Sequence, residues 1–119
     1  MLRTSRFFLT LCFLLPGTTA LAQEAADKAA HKCITSLAVQ QEIYAMSNKM
    51  KYLMSAKGVG SKTDSPLKGK FSAKCDANVV WEIKKDKNGK FQIIAYHNKG
   101  KLLYTYFQAT AKVSSAKWK

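Results

Sequence analysis

Beyond position 6 the sequence contains no arginine: Arg3 and Arg6 are the only two, and the other 18 cationic residues are all lysine. The planar guanidinium fork is the side chain suited to bidentate reading of phosphates and base edges, so its absence argues against sequence-specific nucleic-acid recognition. Acids are also scarce, with seven in 119 residues (Glu24, Asp27, Glu42, Asp64, Asp76, Glu82 and Asp86). No two of them form a recognisable glycosidase pair. Two histidines, His31 and His97, and three cysteines offer no closely spaced ligand pair of the zinc type, so no metal or other cofactor is expected. A Ser-centred elbow and a Gly-rich phosphate loop are both missing. At this length the chain holds one domain at most, which excludes large multidomain enzymes and repeat arrays. One apolar run stands out, residues 7–15, and it has about half of the ~20 residues needed to span a bilayer.

That run belongs to a recognisable leader. Arg3 and Arg6 precede it, Pro16-Gly17 breaks it, and Ala20-Leu21-Ala22 supplies the small residues a signal peptidase accommodates. Residues 1–22 are therefore expected to be a cleaved secretory signal peptide, with Gln23 as the new terminus and the periplasm or the cell exterior as destination. Residues 23–119 form a single small α+β domain, with no transmembrane segment once the signal is removed. Cys12 leaves with the signal, and Cys33 and Cys75 remain as an even pair in an oxidising compartment. A disulfide between them is the expected outcome.

The fold expectation comes from periodicity. Over 35–57, Val39, Ile43, Met46, Met50 and Leu53 recur at helical spacing and predict a core-facing stripe, with Gly58 closing the helix. The opposite face, Leu37, Gln41, Tyr44, Asn48 and Tyr52, mixes rings with amides. Residues 58–78 lose all period and predict a basic loop carrying Lys62, Lys68, Lys70 and Lys74. From Val79 the period becomes two. Turn signals at Asp86-Lys87-Asn88-Gly89 and Asn98-Lys99-Gly100 then divide the chain into three strands of an antiparallel meander. The expected architecture is an N-terminal amphipathic helix packed on a three-stranded antiparallel β-meander with one disulfide, with a frayed tail carrying Lys112, Lys117 and Trp118. One helix covers one sheet face, so the second needs the loop and tail, another copy or a partner.

Charge is the strongest functional signal. Residues 23–57 carry a net +2 and residues 58–119 a net +9, so the positive field sits on the second half. Such a field favours anionic partners in a salt-sensitive way. The leading expectation is a non-catalytic exported binding module that contacts an anionic envelope surface or an acidic protein. Lys62, Lys68, Lys70, Lys74, Lys112, Lys117 and Trp118 would make the ionic contact, and Tyr44, Tyr52, Tyr104 and Tyr106 would form a partner face. The same residues support two alternatives. One is a structural subunit of an envelope assembly, or a toxin-neutralising inhibitor, with homo-oligomers possible on the tyrosine face. The other is a small secreted ribonuclease with His31 and His97 as its acid–base pair and lysine stabilising the phosphorane-like charge. No stretch of the sequence carries a signature specific enough to name a family.

Overall fold

The computed structural model describes residues 2–63 and 72–118, with side chains from residue 20 onward. One helix, α1 (Leu2–Ser47), precedes six strands: β1 (Ala56–Val59), β2 (Lys62–Thr63), β3 (Val79–Lys85), β4 (Phe91–His97), β5 (Leu102–Phe107) and β6 (Lys112–Lys117). All pairings are antiparallel, in the order β2-β1-β3-β4-β5-β6. The α+β class and the disulfide are as expected. The three-stranded meander is half of a six-stranded sheet.

The helix packs on β3, β4 and β5 through Ala26, Ala30, Cys33, Ile34, Leu37, Gln41 and Ala45, all buried. Facing them are Val79, Trp81 and Ile83 of β3 and Phe91, Ile93 and Ala95 of β4, in strict alternation. Burial of each large side chain in this set contributes about 1.5–3 kcal/mol. The expected core stripe is the wrong one. Val39, Ile43, Met46 and Met50 are 54, 40, 75 and 69% exposed, whereas Gln41, from the face read as polar, is fully buried. The residues at 26, 30, 33, 37 and 41 form a second stripe of helical spacing, with Ile34 buried beside it. Cys33 lies on it, bonded to Cys75 across a Cα–Cα distance of 4.7 Å, so the crosslink holds that stripe to the sheet.

The helix also starts and stops elsewhere. Its backbone runs from Leu2 through Pro16-Gly17, well before the expected start near residue 35. It ends at Ser47, ten residues before Lys57, where Lys49 and Met50 take left-handed φ values of 57° and 63° and the chain turns back. Such values cost about 1–2 kcal/mol per residue. Gln41 offsets part of this by clamping the returning chain: its Nε2 donates to the Leu53 carbonyl at 2.7 Å, and its Oε1 accepts from the Leu53 N–H at 2.9 Å. Gly58 is therefore not a helix cap. It sits in β1, where a Cβ would collide with the Lys62 backbone carbonyl and lie 2.8 Å from the Trp81 ring. The expected loop at 58–78 thus contains the β1–β2 hairpin, turned at Gly60 with φ 62°. The tail is likewise not frayed. It forms β6, paired with β5 along six residues, because β5 presents a full row of backbone groups to it.

Two polar contacts fix the sheet to its surroundings. Asp27 Oδ1 accepts from the backbone N–H groups of Lys101 and Leu102 at 2.9 and 3.1 Å, reaching in over Gly100, which has no Cβ to block it. In the β3–β4 turn, Asp86 Oδ1 accepts from Asn88 and Lys90 N–H at 2.7 and 2.9 Å, and Gly89 takes φ 81°.

Candidate functional site

With α1 on one face of the sheet, strand alternation sends the other half of the side chains to an uncovered face. The register aligns Val59, Val80, Tyr96, Leu103 and Ala116 in one row across β1, β3, β4, β5 and β6. Lys57, Glu82, Ile94, Thr105 and Ser114 form the next row, and Lys84, Gln92, Phe107 and Lys112 the third. Val59 and Phe107 are exposed, and Val80, Ile94, Tyr96 and Leu103 are half-buried. Trp118, just beyond β6, donates its backbone N–H to the Lys101 carbonyl and tilts its ring against Tyr96 at 4.3 Å. An apolar band therefore crosses a sheet face with no helix over it, and Lys57, Lys62, Lys84 and Lys112 frame it, with Glu82 in the second row.

Two shallow grooves mark opposite corners of this face. One, of about 460 Å³, lies over Gly58 and Val59 between Lys57, Lys62, Thr63, Val80 and Glu82. The other, of about 560 Å³, surrounds Phe107 with Lys84, Lys85, Lys87, Asp86, Gln92 and Thr110. Both combine an apolar floor with lysine rims, the chemistry that holds an anionic group beside an apolar one.

The lysines expected to act as one loop are separated. Lys62 and Lys112 are on the open face, as is Trp118, although its ring is occupied by Tyr96. Lys117 aligns with Leu102 and so points to the helix side, while Lys74 flanks the disulfide together with Lys32 and Asp76. Lys68 and Lys70 lie outside the described residues.

The tyrosines expected as a partner face belong to the rim of the core. Tyr104 and Tyr106 share the helix side with Tyr44 and Tyr52, all partly buried against it. The Tyr52 ring is tilted against Phe91 at 5.0 Å, and Phe91 stacks at 6.0 Å on Tyr106. Partial burial raises the hydroxyl pKa of all three of Tyr52, Tyr104 and Tyr106. For Tyr52 the Glu42 carboxylate, which accepts from the hydroxyl at 3.2 Å, adds to the rise. The charges of Asp27 and Glu42 add to it for Tyr104 and Tyr106 respectively.

The histidines have different surroundings. His31 is exposed on α1 with its ring edge-on to Tyr104 at 5.2 Å. His97 is buried; its Nδ1 accepts from the Lys99 N–H at 3.0 Å, which leaves the proton on Nε2, 3.6 Å from Asp76 Oδ1. Its Nδ1 is thus taken by the backbone, and its Nε2 lies near the exposed Asp76 carboxylate, away from His31 on α1. Among the described residues, no group of three or more His, Cys, Asp or Glu is placed to hold a metal ion.

Sequence reasoning missed Asp27 and Gln41 as fastenings, and Lys57, Lys84 and Phe107 as parts of the open face. His97 continues the alternation of Phe91, Ile93 and Ala95, and that period was the available signal for its burial. Comparison of the chain with protein-family models, with curated proteins and with solved structures gives no match.

Proposed function

We propose that the protein is an exported, non-catalytic binding module whose open sheet face takes an anionic partner, an acidic protein segment or an anionic envelope component. The observation that carries this reading is the apolar band framed by Lys57, Lys62, Lys84 and Lys112 on the sheet face opposite α1, where Trp118 packs on Tyr96 and Val59 and Phe107 stay exposed. The leader at 1–22 supports export, and the Cys33–Cys75 crosslink is compatible with an oxidising compartment. The burial of His97, with its Nδ1 taken by the Lys99 N–H, weighs against an acid–base role in RNA cleavage. Retention on a heparin column tests the ionic part. The wild type is retained and released by salt, and the variant Lys62→Gln/Lys84→Gln/Lys112→Gln elutes at clearly lower salt. A Lys32→Gln/Lys74→Gln variant, altered beside the disulfide, keeps more of the retention. Equal elution of the two variants would remove the open face from the reading, and RNA cleavage lost in His97→Ala would replace binding with catalysis.

A further inference from the structure

Among the exposed side chains of α1, Lys28, Lys32, Thr35, Val39, Ile43 and Met46 fall on one line, at spacings of three and four. Just past the helix end Met50 is exposed as well, and Lys49 and Lys51 flank it with exposed side chains. The result is a ridge with lysine at both ends and large apolar side chains between; Lys28 pairs with Glu24 at 3.9 Å, and Lys28, Lys32, Thr35 and Val39 line a shallow groove. The one acid between positions 28 and 51, Glu42, has its carboxylate engaged by the Tyr52 hydroxyl. A helix of a water-soluble domain usually keeps its large apolar residues on the buried side; α1 buries Ile34 and Leu37 against the sheet and also exposes Val39, Ile43 and Met46 on the other side.

We propose that this ridge of α1 lies in the headgroup–acyl boundary of an anionic lipid bilayer. An exposed apolar strip with lysine flanks suits an anionic lipid surface, where the apolar side chains enter the acyl region and the ammonium groups reach phosphate. A second copy is a poor occupant, because two such ridges bring lysines of the same sign together and each chain after residue 22 carries a net +11. Among the described residues no helix is long and apolar enough to cross a membrane, so α1 lies on the bilayer and does not span it. The sheet's open face is on the far side from the ridge. A lipid-bound molecule would therefore still present that face outward, and the two surfaces can be used together.

The test is co-sedimentation of the processed protein with vesicles of phosphatidylcholine plus phosphatidylglycerol, against phosphatidylcholine alone. The wild type prefers the anionic vesicles, and added salt weakens the preference. Met46→Gln/Met50→Gln lowers partitioning on the order of tenfold, with an unchanged melting temperature because both side chains are exposed. Lys28→Gln/Lys32→Gln removes much of the salt-sensitive part. Equal partitioning of the methionine variant and the wild type would overturn the proposal. So would equal binding to neutral and anionic vesicles, or a wild-type dimer in solution that the methionine variant dissociates. The heparin result reads the opposite face and stands or falls separately.

Discussion

Replacing Gln41 by leucine keeps the side-chain volume and removes both of its hydrogen bonds to Leu53, the clamp that returns the chain after α1. Gln41 is fully buried, while Leu53 is only partly so. A buried backbone group that loses its partner costs about 1–3 kcal/mol, and water can reach some of the half-exposed Leu53 backbone. The expected loss for both groups is about 2–3 kcal/mol. For a domain near 100 residues, each kcal/mol moves the midpoint by about 4–8 °C, so Gln41→Leu should melt about 10–20 °C below the wild type. The assay is thermal unfolding by circular dichroism with the disulfide intact. Gln41→Glu sharpens the test. A neutral carboxylic acid can still donate to the Leu53 carbonyl and accept from its N–H, whereas a carboxylate opposes the carbonyl and is costly to bury. This variant should regain stability as pH falls. A leucine variant melting within about 3 °C of the wild type would show that the amide does not hold the turn at the helix end.

The Cys33–Cys75 bond spans a separation of 42, for which loop-closure entropy gives about 4 kcal/mol, so Cys33→Ser/Cys75→Ser should melt about 20 °C lower. Gly58→Ala forces a Cβ against the Lys62 carbonyl and the Trp81 ring and should cost about 1–3 kcal/mol, with altered tryptophan fluorescence. Gly89→Ala meets nothing closer than Lys85 Cε at 3.8 Å, so its cost is the left-handed backbone alone, about 1–2 kcal/mol by thermal unfolding. Tyr52, Tyr104 and Tyr106 have raised hydroxyl pKa values, so their contribution to stability is complete below pH ~10 and declines as pH climbs through the folded values. Tyrosinate absorbance of the folded protein should accordingly titrate in part above the ordinary range and shift down on unfolding.

The hairpins were legible because their information is local. Val79, Trp81 and Ile83, and then Phe91, Ile93 and Ala95, alternate in the sequence as they do in the core, and Asp86 and Gly89 are the residues their turn requires. The helix was legible as a helix, but its orientation was not. Two stripes of equal spacing compete in α1, and bulk favours Val39, Ile43 and Met46. The choice is made by Cys33, Asp27 and Gln41 through partners 42, 74 and 12 residues away. The strands β1, β2 and β6 hold little alternating apolar pattern of their own. Each becomes a strand because a neighbour offers it a ladder, and the partner that stabilises it is written elsewhere in the chain. Of the site, the lysine excess was plain from composition. Which lysines share a surface depends on register, and that is why Lys62 and Lys112 meet on one face while Lys74 and Lys117 do not.

The strand order also has a kinetic meaning. Strands β3 to β6 succeed one another through links of four or five residues, so the ladders among them can close by short-range encounter. β1 must find a strand that is not its sequence neighbour, joining Ala56 to Ile83, and the connection it waits for also carries Cys75. Assembly should therefore proceed from the carboxy-terminal half backward, with β1 arriving late. Pulse-labelled hydrogen exchange during refolding should find the β4–β5 amides protected before those of β1, and the opposite order would contradict it.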